Sequence, residues 1–209
     1  MELQLSAAFS SVFFFMSTLF DLLPAESRET VDEINQELLE KAKSLPTFTD
    51  KFFIFGVGKT DANVVIVGES PGLPDADSEK PFMGPVGELL TKILAAIGLK
   101  REDCYLTNVV KYISQGDELT PDILKFFTPY LHREMAAIKP KVIISLGNTP
   151  TKALLNTKKS ITQMRGEFYD FQGTKLMPTF NPAYILRDPS KKREVWEDMK
   201  MIREFLNKQ

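Results

Sequence analysis

Three short, strand-like runs constrain this chain more than any other feature: the β-branched 63–68 (NVVIVG), 104–110 (CYLTNVV) and 141–147 (KVIISLG). None alternates polar with apolar residues, so each reads as a strand buried on both faces, as strands in a parallel sheet are. A fourth strand-like run, 174–180 (TKLMPTF), follows later. Helical spacing fills the intervals over 86–97, 121–138, 149–155 and 192–207, and Gly98 ends the first of these. Strands separated by helices predict a three-layer α/β/α sandwich around a central, mainly parallel four-stranded sheet.

Ahead of that pattern, Ser27 caps a helix carrying Val31, Ile34, Leu38 and Leu39 on one face, which runs to about Lys43. The expected organisation is a helical N-terminal extension over residues 1–45 and one α/β domain over 46–209. From Leu3 to Phe20 there is no charge, but Ser6, Ser10, Ser11 and Ser17 interrupt the run and no basic residue precedes it. Phe9, Val12, Phe13, Met16, Phe20 and Leu23 recur at helical spacing, which predicts an amphipathic helix packed on the body or on a partner. The expectation is a protein without a membrane segment.

With 43% hydrophobic and 26% charged residues, collagen-like, disordered and polytopic membrane folds are excluded. Cys104 is the only cysteine and His132 the only histidine. Internal disulfides, cysteine–histidine zinc sites and histidine-based triads are therefore unavailable. The missing disulfides suit the cytoplasm. The net charge of −2 conceals an asymmetry: residues 1–138 hold 12 basic and 21 acidic side chains, residues 139–209 hold 14 and 7. A basic C-terminal third points to a polyanionic partner.

Ligands of open α/β sheets bind beyond the carboxyl ends of the strands. The loops expected there are Gly68-Glu69-Ser70-Pro71-Gly72, the stretch Pro81-Phe82-Met83-Gly84, Thr107-Asn108, Leu146-Gly147-Asn148 and Asn181-Pro182-Ala183-Tyr184. One rim thus offers a carboxylate, an aromatic plate, amides and glycine N–H groups, a set suited to a planar polar ligand.

Taken in order, GESPG, PFMGPVGELL, YLTNVVK, KPKVIISLG, Arg165-Gly166 and TFNPAYILRDP closely resemble the family 4 uracil-DNA glycosylases over about residues 54–207. The resemblance implies an enzyme that flips uracil out of single- or double-stranded DNA and hydrolyses its N-glycosidic bond. By position, Phe82 would stack on the flipped base, Asn108 would read its edge, and Glu69 would stabilise the sugar cation and place water. Gly68, Ser70 and Gly72 would supply close approach and N–H groups. Tyr184, Ile185, Leu186 and Arg187 resemble the loop that wedges into the duplex. Lys191, Lys192 and Arg193 would grip phosphates with Arg187. Tyr105 shares a strand face with Thr107 and reads as core. A monomer is expected.

The chain departs from that family in three places. Family 4 enzymes carry a four-cysteine iron–sulfur cluster, yet residues 1–60 hold no cysteine, Tyr112 stands at the third ligand position, and Phe127 or Thr128 at the fourth. The expectation is no cofactor, with aromatic side chains filling the cluster's place. Asn181 stands where the family has histidine before proline, as in the mismatch-specific and single-strand-selective branches. It would hydrogen-bond the departing base, or else only shape the turn before Pro182. Ser70 replaces a usual Ala or Gly. A catalytically weak nucleic-acid-binding member, or a glycosylase for another deaminated base such as hypoxanthine, are the alternatives.

Overall fold

The computed structural model describes residues 29–114 and 118–208. The N-terminal amphipathic helix and the Ser27 cap expected from the sequence lie outside those residues. A helix α1 (Val31–Lys43) precedes strands β1 (Val57–Gly58) and β2 (Val64–Gly68), helix α2 (Gly84–Ala96) and strand β3 (Tyr105–Asn108). Then come α3 (Pro121–Ile138), β4 (Val142–Leu146), α4 (Asn148–Leu155) and the single turn α5 (Ile161–Met164). The chain closes with β5 (Tyr169–Phe171), β6 (Thr174–Thr179), α6 (Pro182–Arg187) and α7 (Lys192–Asn207). Val31–Gln209 forms one compact unit. Among the described residues no helix is long and apolar enough to cross a membrane.

The sheet has the order β1-β3-β2-β4-β6-β5. Its middle four strands, β3-β2-β4-β6, are parallel and coincide with the four expected from the sequence. The sheet is wider than the four strands expected, because β1 and β5 add antiparallel edges. With two and three residues these edge strands are too short to show any period.

Burial follows the pleat, in which successive side chains face opposite sides. Val65, Val67, Tyr105, Ile143 and Leu176 join a core with Ile34 and Leu38 of α1 and Phe127 and Leu131 of α3. Val64, Ile66, Leu106, Ile144 and Met177 join a second core with Leu90 and Leu94 of α2 and Val195, Met199 and Ile202 of α7. Apolar residues on both faces of each central strand thus meet helices on both sides. This is the physical reason those runs carry no polar alternation.

In the first of these cores, Phe48, Tyr112 and Phe127 form a mutual ring cluster with centroids 5.5–5.9 Å apart. Phe126 packs edge-on against Phe127 at 5.1 Å. Cys104 lies in the other core, fully buried, where burial pushes its thiol up to about 11.

Candidate active site

β2 and β3 end side by side, with Gly68 paired to Asn108 in the parallel register. Asn108 shares a strand face with Leu106, so its amide projects toward α2 rather than into the α3 side. A Cβ on Gly68 would stand 2.3 Å from Asn108 Oδ1 and 2.7 Å from Phe82 Cζ. The amide and the ring therefore converge directly above a residue that has no side chain, an approach that is possible only because position 68 is glycine. Both Asn108 and Phe82 are largely buried.

Phe82 reaches this place in the left-handed backbone region, at φ 59°. For a bulky residue that conformation costs on the order of 1–3 kcal/mol and persists only when its neighbours over-determine it. Three contacts do so. Asp75, buried, accepts from Met83 N at 2.6 Å and from Gly72 N at 3.0 Å. Arg101 Nη2 donates to Pro81 O at 2.6 Å. Gly87 in α2 lies so close that a Cβ there would sit 1.7 Å from Phe82 O. The N–H of Gly72 is thus taken by Asp75, and the residue holds the loop rather than offering a donor to a ligand. Ser70 is half-buried, its hydroxyl 3.4 Å from that of Ser114.

Glu69, the next residue after the strand, is exposed. Its carboxylate accepts a hydrogen bond from Thr149 Oγ1 in the first turn of α4. Its carbonyl accepts from Val110 N at 2.9 Å, just as Gly68 O accepts from Val109 N at 2.9 Å. The carboxylate and the Asn108 amide are therefore set by one short stretch of paired backbone.

Asn181 caps α6, with Oδ1 accepting from Ala183 N at 2.8 Å. That bond fixes the amide's orientation, and its NH₂ donates to Leu146 O at 3.4 Å. Of the two roles considered from the sequence, the structure shows the turn-shaping one. The preceding segment is anchored by Asp198, whose Oδ2 accepts from Thr179 Oγ1 at 2.6 Å and from Arg165 Nε at 3.1 Å. Arg165 Nη2 also donates to Asp198 Oδ1, and the guanidinium lies over Phe180, 5.3 Å from its centroid. Burial raises the Asp198 carboxyl to about 6, against the opposing pull of Thr179 and Arg165.

On the outer rim Tyr184, Leu186, Arg187, Lys192 and Arg193 are exposed. Ile185 is not: it is 1% exposed and packs in the core shared by α2 and α7. Lys191 pairs with Glu194 at 2.8 Å, which offsets its charge. Tyr105 is buried in the core, as the alternation of β3 requires.

Sequence reasoning passed over Asp75, Arg101, Thr149 and Asp198. Each acts through a partner 8 to 80 positions away, and only proximity to a motif could have signalled Asp75. For an iron–sulfur cluster the donor set does not fit. Such clusters are held mainly by cysteine thiolates, and this chain has one cysteine, across the sheet from Tyr112 and Phe127. Among the described residues no three His, Cys, Asp or Glu side chains are grouped to hold a metal.

Residues 55–200 match the family described as the Uracil DNA glycosylase superfamily. The chain is 35% identical over 189 residues to the type-4 uracil-DNA glycosylase of Thermotoga maritima, covering 88% of this chain and 98% of that protein. It is 33% identical to the type-4 uracil-DNA glycosylase of Archaeoglobus fulgidus, over 86% of this chain and 95% of that one. Against the type-4 enzyme of Saccharolobus solfataricus identity is 36%, covering 73% and 75%.

Proposed function

This chain belongs to the Uracil DNA glycosylase superfamily, and we propose that it is a DNA repair enzyme that flips uracil out of DNA and hydrolyses its N-glycosidic bond, leaving an abasic site. The observation that carries this reading is the convergence of the Phe82 ring and the Asn108 amide over the bare Cα of Gly68, with Glu69 adjoining.

The extruded base stacks on Phe82. The Asn108 amide accepts from N3–H and donates to O4 of uracil. Cytosine presents the opposite pattern at those two atoms and is refused, because a site built for one pairing leaves the other with unmatched polar groups. As the glycosidic bond lengthens, positive charge grows on the sugar and negative charge on the base. Glu69 faces the first and orients a water toward the anomeric carbon, with Thr149 steadying its carboxylate. The Asn181 NH₂ donates to a carbonyl oxygen of the leaving base. The water oxygen bonds to carbon as the nitrogen departs with the electron pair, and the water's proton passes to solvent or base. Tyr184 and Leu186 press into the duplex, while Arg187, Lys192 and Arg193 hold phosphates.

The protein acts as a monomer in the reducing cytoplasm and needs no iron–sulfur cluster. The last point is supported by the single, buried cysteine and by Tyr112, which stands where the resemblance places the third cluster ligand and packs with Phe48 and with Phe127, one of the two candidates, with Thr128, for the fourth. Incubating the purified protein with oligonucleotides carrying one uracil, single- and double-stranded, followed by alkaline cleavage, tests the activity. Excision should proceed in the presence of chelator, and the preparation should be colourless and free of stoichiometric iron. A folded protein that leaves uracil untouched but releases hypoxanthine would redirect the reading to that base. One that releases neither would refute it.

A further inference from the structure

Lys111 and Glu134 are both wholly buried, and their side chains meet at 2.7 Å. An ion pair in the interior is a poor investment in stability, since apolar residues of similar volume serve as well or better. Its placement suggests another use. An ammonium has three protons, and Lys111 gives one to Glu134 Oε2, one to Thr107 Oγ1 and one to the main-chain carbonyl of Asn108, the last at 2.8 Å. Thr107 Oγ1 in turn lies 3.3 Å from Glu134 Oε2. Thr107 and Glu134 lie on the far side of β3 from the Asn108 amide, and the third contact is the main chain where the strand stops.

The carbonyl of Asn108 lies at the last rung of β3. Immediately beyond it, Val109 N and Val110 N bond to Gly68 O and Glu69 O. Lys111 therefore pins one end of a four-residue stretch whose side chain at 108 faces the base and whose amide at 110 holds the backbone of Glu69. Moving that carbonyl moves the amide and the carboxylate together.

We propose that the Lys111–Glu134 pair is the positioning device of the active site, fixing Asn108 and Glu69 relative to each other without touching substrate. The role rests on the glycosylase reading above, so its test has one arm that needs no activity. The variant K111M/E134L removes both charges and keeps apolar bulk, so it should fold. Under single-turnover conditions its uracil excision should fall at least about tenfold, while affinity for the same DNA stays within about twofold, as expected when reacting groups are misplaced rather than lost. Hydrogen exchange should accelerate in peptides spanning 66–72 and 105–113 and stay unchanged in α2, α7 and the β5–β6 hairpin. Where the double variant does not fold, E134Q, which keeps shape and one acceptor, should show the same two local effects in weaker form.

A folded variant with wild-type excision and unchanged exchange would overturn the proposal. So would exchange that rises evenly across the sheet, or failure of both variants to fold, since either makes the pair a general stabiliser. If the wild type does not excise uracil, the glycosylase reading fails, and the exchange pattern still decides the positioning role.

Discussion

Gly68→Ala is the most direct probe of how the pocket is built. The φ of Gly68 is not positive, so alanine fits the backbone and the whole effect falls on the space above it. The added methyl would lie 2.3 Å from Asn108 Oδ1 and 2.7 Å from Phe82 Cζ, whereas ordinary contacts begin near 3.4 Å. The amide must retreat by roughly 1 Å and the ring by somewhat less. Displacement of that size between reacting or reading groups costs on the order of a hundredfold in rate. Overpacking should cost about 1–3 kcal/mol of stability. The side chains proposed to hold phosphates are on other loops, so DNA affinity should hold. A fluorescently labelled uracil oligonucleotide, assayed with enzyme in excess and cleaved by alkali, gives the rate, and urea denaturation gives the stability. A folded alanine variant that excises uracil within about threefold of wild type would mean that the base does not seat between Phe82 and Asn108, and the mechanism built on that pocket would fall.

Asp75→Asn replaces one of two acceptor oxygens with a donor facing a backbone N–H. It should cost about 1.5–3 kcal/mol in denaturation and lower the excision rate as Phe82 leaves its strained backbone conformation. Asn181→Ala should lose about 1 kcal/mol from the α6 cap and at least about tenfold in single-turnover rate. A stable variant with full rate would confine Asn181 to capping. Asp198 holds its proton more tightly folded than unfolded, because burial raises its carboxyl to about 6 from the ordinary 3.8. Its share of stability is therefore fully present below about pH 4 and lost as pH rises through about 6, a span of about 2–3 kcal/mol. Urea titrations at pH 4, 5, 6 and 7 should show Asp198→Asn lacking that component, and parallel curves for variant and wild type would contradict it.

The four parallel strands were legible because their physics is local. A run such as VVIV in β2 is apolar at every position since both its faces are covered, and no neighbour's identity is needed to read that. The same holds for the helices over 121–138 and 192–207, whose expected bounds match those of α3 and α7. The loops that hold Glu69, Phe82, Asn108 and Asn181 stood out because the rim of a parallel sheet collects them, whereas the role expected of each residue came from the family resemblance.

What the linear chain does not carry is pairing at a distance. Nothing near residue 111 shows that its ammonium closes on a glutamate 23 positions later, or that Asp198 waits for Arg165 and Thr179. Ile185 and Leu186 look equally able to enter a duplex until α6 turns one into the core and leaves the other exposed. The left-handed backbone of Phe82 has no signature in its own side chain, being imposed by Asp75, Arg101 and Gly87 from three other segments. Periodicity and composition report how much of each residue is buried. Which buried groups meet depends on strand register and helix docking, and these exist only once the sheet has formed.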